Sequence, residues 1–130
     1  MPKNLFDLTG KVALITGGNG GIGLGFAEGV AKQGADVCIW GRDTQKNAAA
    51  VEQLGEFGTK VHAIGCDVSV EASVEESFAE TLEVFGRVDA CFANAGVARS
   101  GSFEEFSTKD WRHVMDVNLD GLFYTLRCAA

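Results

Sequence analysis

The glycine-rich loop at residues 16–23 carries the residue types and spacing in this chain that are best suited to chemistry. It reads Thr-Gly-Gly-Asn-Gly-Gly-Ile-Gly, with five glycines in eight residues. Glycines let several backbone amides converge on one anion, because they reach positive φ and carry no Cβ that would block the approach. A helix that follows such a loop directs its unpaired N–H groups and positive dipole end at a phosphate. The loop is therefore predicted to bind a phosphate group, and the alternative is a tight turn without a ligand.

Residues 41–43, which read Gly-Arg-Asp, supply a second signal at the end of a predicted strand. At this point a dinucleotide site places a carboxylate on the ribose hydroxyls of NAD or a cation on the 2′-phosphate of NADP. Arg42 comes first after the strand, and charge-assisted hydrogen bonds from arginine to phosphate are worth about 1.5–3 kcal/mol. Asp43 lies at a distance from Gly23 that suits a ribose-binding acid, but it can also cap the next helix. We expect NADP to be preferred, with NAD as the alternative.

Two further segments place small and polar residues after the third and fourth predicted strands. Asp67 can accept a hydrogen bond from the exocyclic amine of adenine, and Val68 can lie against the ring. Alternatively, Asp67 or Ser69 only caps the helix that follows. In residues 94–96, Asn-Ala-Gly, small side chains let a ribose approach, and the amide of Asn94 can brace neighbouring loops.

These segments follow apolar blocks that alternate with amphipathic stretches along the chain. Predicted strands cover residues 11–15, 36–40, 60–65 and 88–93, and predicted helices cover residues 21–34, 44–57 and 70–85. A last helical stretch runs from a cap at residues 107–110 to the end of the chain. In the third helix one apolar stripe is expected to pack on the sheet: Val74, Phe78, Leu82 and Phe85.

The alternation predicts an α/β fold, a doubly wound parallel sheet of Rossmann type in one domain over residues 1–130. Because crossovers are right-handed, the first three strands should run outward in the order 3-2-1, with strand 4 on the other side of strand 1. Ligands bind such sheets at the carboxyl ends of the strands, where the strand order reverses. The four distinctive segments all lie at that edge, so we expect them to form one cleft.

The composition limits the partners of the chain. A net charge of -7 and the lack of a basic patch argue against nucleic acid. No apolar run reaches the ~18 residues that a membrane span needs, and the N-terminus does not resemble a signal peptide. The four cysteines lack metal-ligand spacing, so we expect reduced thiols in the core, no metal site and a cytoplasmic location.

Together these motifs resemble those of the short-chain dehydrogenase/reductase family. The matching residues are Thr16-Gly17-x-x-x-Gly21-x-Gly23, Asp67-Val68, Asn94-Ala95-Gly96 and Val117-Asn118-Leu119-x-Gly121. The ordered set at these spacings is specific, and the resemblance covers nearly the whole chain. It implies a nicotinamide cofactor and an oxidoreductase that transfers hydride to or from a small carbonyl or alcohol substrate.

The resemblance also implies roles for individual residues. Asn118 matches the family's catalytic asparagine, which supports a proton relay from within a helix, although a structural hydrogen bond is an alternative role. Gly20 departs from NADP-preferring members, which often carry a basic residue there, and this keeps NAD open. The implied cofactor-binding residues are Gly17, Asn19, Gly20, Ile22, Gly23, Arg42, Asp67, Val68, Asn94, Ala95 and Gly96.

A larger departure from the family lies at the end of the sequence, which stops at Ala130. The family's catalytic Ser and its Tyr-x-x-x-Lys motif lie beyond the last helix, and the only tyrosine, Tyr124, is followed four residues later by Cys128. We therefore expect a cofactor-binding half, with a sheet truncated after the helix that follows strand 4, and no activity from this chain alone. The alternatives are a non-catalytic nucleotide-binding module and a methyltransferase. A methyltransferase is expected to have an acidic residue near the end of the first strand, and Thr16 argues against it.

The fourth predicted strand is an apolar edge in such a half-domain. Exposed edges of this kind pair with other chains, because their N–H and C=O groups lack partners. We therefore expect the chain to associate. Separately, its full-length parent is expected to form a homo-oligomer.

Overall fold

The computed structural model of the chain describes residues 4–130, in which strands and helices alternate. The strands are β1 (Val12–Thr16), β2 (Asp36–Gly41), β3 (Val61–Gly65) and β4 (Ala90–Ala93). The first three helices are α1 (Gly21–Lys32), α2 (Thr44–Gly55) and α3 (Glu71–Phe85). After β4 come a 3-10 turn (Phe103–Glu105), α4 (Thr108–Met115), a π-helical segment (Asp116–Asp120) and α5 (Gly121–Ala129).

The sheet of the described residues has four parallel strands in the order β3-β2-β1-β4. Leu14 of β1 stands beside Cys38 of β2 and Cys91 of β4, so the strands run in register toward one carboxyl edge. This order is the one predicted from right-handed crossovers, and the α/β fold of Rossmann type is confirmed.

Helices cover both faces of the sheet, because successive residues of a strand point to opposite sides. Strands buried on both faces read as continuous apolar runs, as β1 and β2 do. The core under α1 and α2 contains Ala13, Ile15, Ala27, Ala31, Val37, Ile39, Ala50 and Leu54. The core on the opposite face contains Leu14, Cys38, Trp40, Ile64, Cys66, Val68, Val74 and Val117.

Several elements end at different residues from those that the sequence predicted. β4 begins at Ala90 and not at residue 88, because the Asp89 carboxylate accepts a hydrogen bond from the backbone N–H of Val12 at 2.8 Å. α1 ends at Lys32, since Gly34 turns the chain with a φ of 96°. The shifts are at most two residues and leave the carboxyl edge of the sheet where it was expected.

The last helical stretch is confirmed, but it is not a regular α-helix throughout. Ser107 caps its first turn as expected, but residues 116–120 form a π-helical segment between α4 and α5. Just beyond it, Gly121 lies so close to Val68 that a Cβ would come within 2.8 Å of the Val68 Cγ2. A π-helical turn inserts one residue into a helix and turns nearby side chains, here that of Asn118.

The cysteines behave as the composition indicated. Cys38 and Cys66 are buried, Cys91 and Cys128 are half-buried, and all four lie within the described residues as free thiols. Burial raises the pKa of Cys38 and of Cys91 to about 11, so both thiols stay protonated at neutral pH.

Over residues 4–130, no helix has the length and apolar character needed to cross a membrane.

Candidate functional site

A cleft of about 490 Å³ opens at the carboxyl edge of the sheet, between the ends of β1, β2, β3 and β4. All four segments singled out in the sequence contribute to its lining. Their predicted site residues in the lining are Gly17, Asn19, Gly20, Arg42, Asp67, Val68, Asn94, Ala95 and Gly96. Residues separated by up to eighty positions in sequence therefore meet on one surface.

The glycine loop is held close to its neighbours by backbone contacts. Gly17 has a φ of 65°, and its N–H donates to the carbonyl of Trp40 at 2.8 Å. A Cβ at Gly17 would lie 3.1 Å from the Ala95 Cα, and a Cβ at Gly23 would lie 2.2 Å from the Gly17 carbonyl oxygen. The loop can therefore approach a ligand with its backbone only if these two positions remain glycine.

The amide of Asn94 braces the two loops that flank the cleft. Its Nδ2 donates to the Thr16 carbonyl at 3.1 Å and to the Gly17 carbonyl at 3.5 Å. The N–H of Ala95 donates in turn to the Thr16 hydroxyl at 2.9 Å. The bracing role expected of this asparagine is confirmed, and the end of β4 is tied to the glycine loop.

Two cationic side chains lie near the connection between β2 and α2. Arg42 is exposed and lines the cleft, and Lys46 lines it as well, one helical turn farther on. Asp43 is the N-cap of α2, since its Oδ1 accepts hydrogen bonds from the N–H groups of Gln45 and Lys46, both at 3.0 Å. Of the two roles weighed for Asp43, helix capping is therefore the one that the structure contains.

Lys46 is a cleft residue that sequence reasoning missed. The signal was available in part, because Lys46 lies in the first turn of the helix that follows Arg42 and is therefore near the end of β2. Which side of α2 faces the cleft, however, depends on how the helix packs against the sheet. The two side chains bring two positive charges to the cleft, whose lining also contains the carboxylates of Asp43 and Asp67.

Asp67 is oriented by its neighbour Ser69. The Ser69 hydroxyl donates to the Asp67 Oδ1 at 2.6 Å and the Ser69 N–H at 3.0 Å. The Ser69 hydroxyl holds the pKa of Asp67 below its usual value, with smaller help from the charge of Arg42, while burial opposes the shift. The alternative that Asp67 or Ser69 caps α3 was wrong, since the helix begins after the apolar residue Val70, which takes the N-cap position.

Asn118 binds the loop that follows β4 with both ends of its amide. Its Oδ1 accepts from the Val97 N–H and its Nδ2 donates to the Val97 carbonyl, each at 2.8 Å. The residue lies on a second, largely apolar cavity of about 690 Å³ lined by Phe103, Phe106 and Trp111, among others. The π-helical segment thus joins α5 to the loop that contributes Val97 to both cavities.

Three predicted site residues lie outside the lining of the cleft, as far as the described residues 4–130 define it. They are Ile22, whose side chain is 74% exposed, Gly23, which is buried behind Gly17, and Asn118. Gly23 still shapes the loop through its contact with Gly17. The roles assigned to Ile22 and Asn118 stay predictions.

Comparison with known proteins identifies the family of this chain. The profile of the short chain dehydrogenase family matches residues 11–130. A curated relative, the NADP-dependent (R)-specific alcohol dehydrogenase of Lentilactobacillus kefiri, is 42% identical over 121 residues, which are 92% of this chain and 47% of the relative. The chain belongs to the short-chain dehydrogenase family.

Solved structures of this family carry both forms of the nicotinamide cofactor. A short chain dehydrogenase from Burkholderia cenocepacia in complex with NADP is 31% identical to this chain, with a TM-score of 0.90. The match covers 95% of this chain and 51% of the Burkholderia chain. An NAD+-bound xylitol dehydrogenase is 28% identical, with a TM-score of 0.91, over 94% of this chain and 47% of that one. The chain spans about half the length of the curated relatives that it matches.

Proposed function

We propose that the cleft binds a nicotinamide dinucleotide with a preference for NADP, as the cofactor-binding half of an oxidoreductase that acts on a small carbonyl or alcohol. The observation that carries the proposal is the convergence of the glycine loop, two cations, Asp67 with Val68 and residues 94–96 on one cleft. The cleft lies at the point in the strand order where open α/β sheets bind ligands.

The glycine loop fits a pyrophosphate. A cradle for this group needs backbone amides at its surface, and the contacts of Gly17 and Gly23 leave no room there for a Cβ. Gly20, in extended backbone, is the N-cap of α1 and lines the cleft, so the first turn of the helix begins directly beneath the loop. The unpaired N–H groups of that turn add to the attraction for an anion.

The preference for NADP follows from the charges at the end of β2. Arg42 and Lys46 line the cleft where a 2′-phosphate would lie, and Gly41 offers no carboxylate to repel it. The carboxylate of Asp43 also lines the cleft, but its Oδ1 is engaged in capping α2. The NADP-dependent relative supports this assignment, whereas the NAD+-bound structural neighbour and the absence of a basic side chain at Gly20 are the arguments for NAD.

The remaining cofactor contacts are proposed at the ends of β3 and β4. Asp67, held ionised and oriented by Ser69, is placed to accept a hydrogen bond from adenine, and the buried side chain of Val68 offers an apolar surface to the ring. The small residues 94–96 leave space beside the loop for a ribose. Val97 and Asn118, at the far end of the cleft, would be the residues near the nicotinamide.

The bound cofactor supplies or accepts the hydride, and the protein must supply the proton. Asn118 is proposed to support a proton relay, with its amide fixed by Val97. An acid at the substrate oxygen is also required, and the one tyrosine of the sequence, Tyr124, packs against the core of the sheet. We therefore propose that turnover needs a tyrosine other than Tyr124, together with a lysine beside it.

A second candidate function is a nucleotide-binding module that carries out no chemistry. The packing of Tyr124 against the core favours it, because this residue is then not available as an acid. The two candidates share the cleft and differ only in turnover, so cofactor binding tests what they share and a kinetic assay separates them.

Cofactor preference is tested by calorimetric titration of NADP and NAD into the chain and into Arg42→Ala and Lys46→Ala. We expect NADP to bind more tightly than NAD, and each substitution to weaken NADP by about tenfold, the loss of one charge-assisted contact. Lys109→Ala is the matched control, since Lys109 is an exposed cation on α4 outside the cleft. Tighter binding of NAD, or equal losses in Lys109→Ala, would refute the preference.

Turnover is tested by following the absorbance of NADPH with a panel of small ketones and aldehydes. General acid catalysis contributes about 10²–10⁴-fold, and lost substrate positioning costs more, so we expect no detectable rate from this chain. A longer form of the protein that supplies the tyrosine and lysine is expected to be active. Activity of the present chain that survives Asn118→Ala would show that the catalytic groups lie elsewhere.

A further inference from the structure

A pair of hydrogen-bonded asparagines, Asn19 and Asn47, connects the glycine loop to the start of α2. The Nδ2 of Asn19 donates to the Oδ1 of Asn47 at 2.9 Å, and the Nδ2 of Asn47 donates to the Gly41 carbonyl at 2.9 Å. Asn47 is 5% exposed and its bond to Gly41 is buried, whereas Asn19 is half-buried and lines the cleft. A buried amide that loses its partners is costly, and this relay therefore fixes Asn19 at the wall of the cleft.

The relay fills the space next to Gly41. A Cβ at Gly41 would lie 2.3 Å from the Asn19 Nδ2 and 2.5 Å from the Asn47 Oδ1. The φ of Gly41 is not in the left-handed region, so the backbone itself would accept another residue. What excludes a side chain at this position is the pair of amides.

Gly41 is the last residue of β2, the point from which a ribose-binding carboxylate would reach an NAD cofactor. We propose that Asn47 is a positioning residue that sets the cofactor preference: with Asn19 it keeps position 41 free of a carboxylate and leaves Arg42 and Lys46 to face the ligand. This inference rests on the proposed function and goes beyond it, because Asn47 touches no cofactor and acts through Asn19.

The inference predicts that Asn47 and position 41 are coupled. Gly41→Asp alone should weaken NADP, because its carboxylate faces the 2′-phosphate, and should gain nothing for NAD, because the amides prevent its proper placement. Adding Asn47→Ala removes one obstructing atom and releases Asn19. The double variant should therefore bind NAD about tenfold more tightly than Gly41→Asp, a non-additive effect of the kind that double-mutant cycles measure.

The wild-type chain, Gly41→Asp, Asn47→Ala and the double variant are also compared by thermal melting without any cofactor. Gly41→Asp should lower the melting temperature, and Asn47→Ala in that background should raise it again, although Asn47→Ala alone lowers it. Gln45→Ala in the Gly41→Asp background is the control, since Gln45 is an exposed residue on the same turn of α2. It should restore neither the melting temperature nor the affinity for NAD.

The outcomes separate the inference from the proposed function. If the wild-type chain binds neither cofactor, the proposed function is refuted, and the cofactor part of the inference with it. If it binds cofactor but the losses from Gly41→Asp and Asn47→Ala simply add, the inference is refuted and the proposed function stands. Tight binding of NAD by Gly41→Asp alone would also overturn the inference, because the amides would then not obstruct a carboxylate.

Discussion

The two sides of the cleft are packed to very different degrees. β1 is buried at every position and β2 at all but its first, and the glycine loop that follows β1 is enclosed by backbone contacts. β4 begins at an exposed residue and is only half-buried beyond it, and α5 exposes apolar side chains, among them Phe123 at 56%. The two strands beside the glycine loop are thus buried, whereas the β4–α5 side exposes apolar surface to water.

This difference in packing separates the residues that affect binding and folding from those that affect association. Tight backbone contacts make the glycine loop intolerant of added atoms, so substitutions there should act on binding and folding together. On the β4–α5 side the apolar side chains of α5 face open surface, so substitutions among them should act on association.

The largest effect is expected from Gly23→Val. The Cβ alone would lie 2.2 Å from the Gly17 carbonyl oxygen and 2.5 Å from the Asn94 Nδ2. Such overpacking costs about 3 kcal/mol of unfolding free energy or more and should abolish cofactor binding. Urea denaturation and calorimetric titration measure the two losses.

The control for this substitution lies two residues along the same helix. A Cβ at Gly25 meets no atom within 4 Å among the described residues, so Gly25→Ala should stabilise the chain by up to about 1 kcal/mol through helix propensity. Retained affinity in Gly23→Val, or a similar loss in Gly25→Ala, would show that the loop does not depend on close backbone contacts.

A smaller effect is expected on association from the β4–α5 side. Leu122, Phe123 and Leu126 are 38%, 56% and 45% exposed, respectively, and form an apolar surface on α5. We expect the chain to associate in a concentration-dependent way, and Phe123→Glu with Leu126→Glu to weaken that association without changing cofactor affinity. Sedimentation velocity at several concentrations measures it, and a wild-type chain that stays monomeric throughout would contradict the prediction.

The smallest effect is expected from Ser69→Ala. Without the Ser69 hydroxyl the pKa of Asp67 should rise toward the ordinary value of 3.8. Because the folded-state pKa of Asp67 is lowered, its contribution to stability is present above pH ~4 and is lost as the pH falls through the folded value. Ser69→Ala should therefore move acid unfolding to a slightly higher pH, as followed by circular dichroism, with little change at pH 7. An unchanged acid transition would mean that this hydrogen bond contributes nothing.

Most of the fold could be predicted from the sequence, because it depends on local features. The apolar strand blocks, the glycine loop and the capping residues each act over a few neighbouring positions, and right-handed crossovers then fix the strand order. The cleft could be predicted for the same reason, since all its segments follow strands. The π-helical segment could not, because it depends on the approach of Gly121 to Val68 and on the pairing of Asn118 with Val97.

Buried polar residues limited the prediction elsewhere. The apolar stripe expected on α3 included Leu82, which is 41% exposed, whereas Ser77 and Thr81 are buried. The Thr81 hydroxyl accepts a hydrogen bond from the indole N–H of Trp40 at 3.1 Å and donates to the Ser77 carbonyl at 2.8 Å, which makes its burial tolerable. Asn47 was overlooked in the same way, because its partners are distant in sequence.

The central claim is that the carboxyl edge of this sheet is a binding site for a nicotinamide dinucleotide. The most direct test is to titrate NADP into isotope-labelled chain and to map the backbone amides whose NMR signals move. The account predicts saturable changes concentrated in residues 17–23, 41–46, 67–68 and 94–97, larger in extent for NADP than for NAD at equal concentration. Changes confined to another surface, or none at millimolar cofactor, would contradict it.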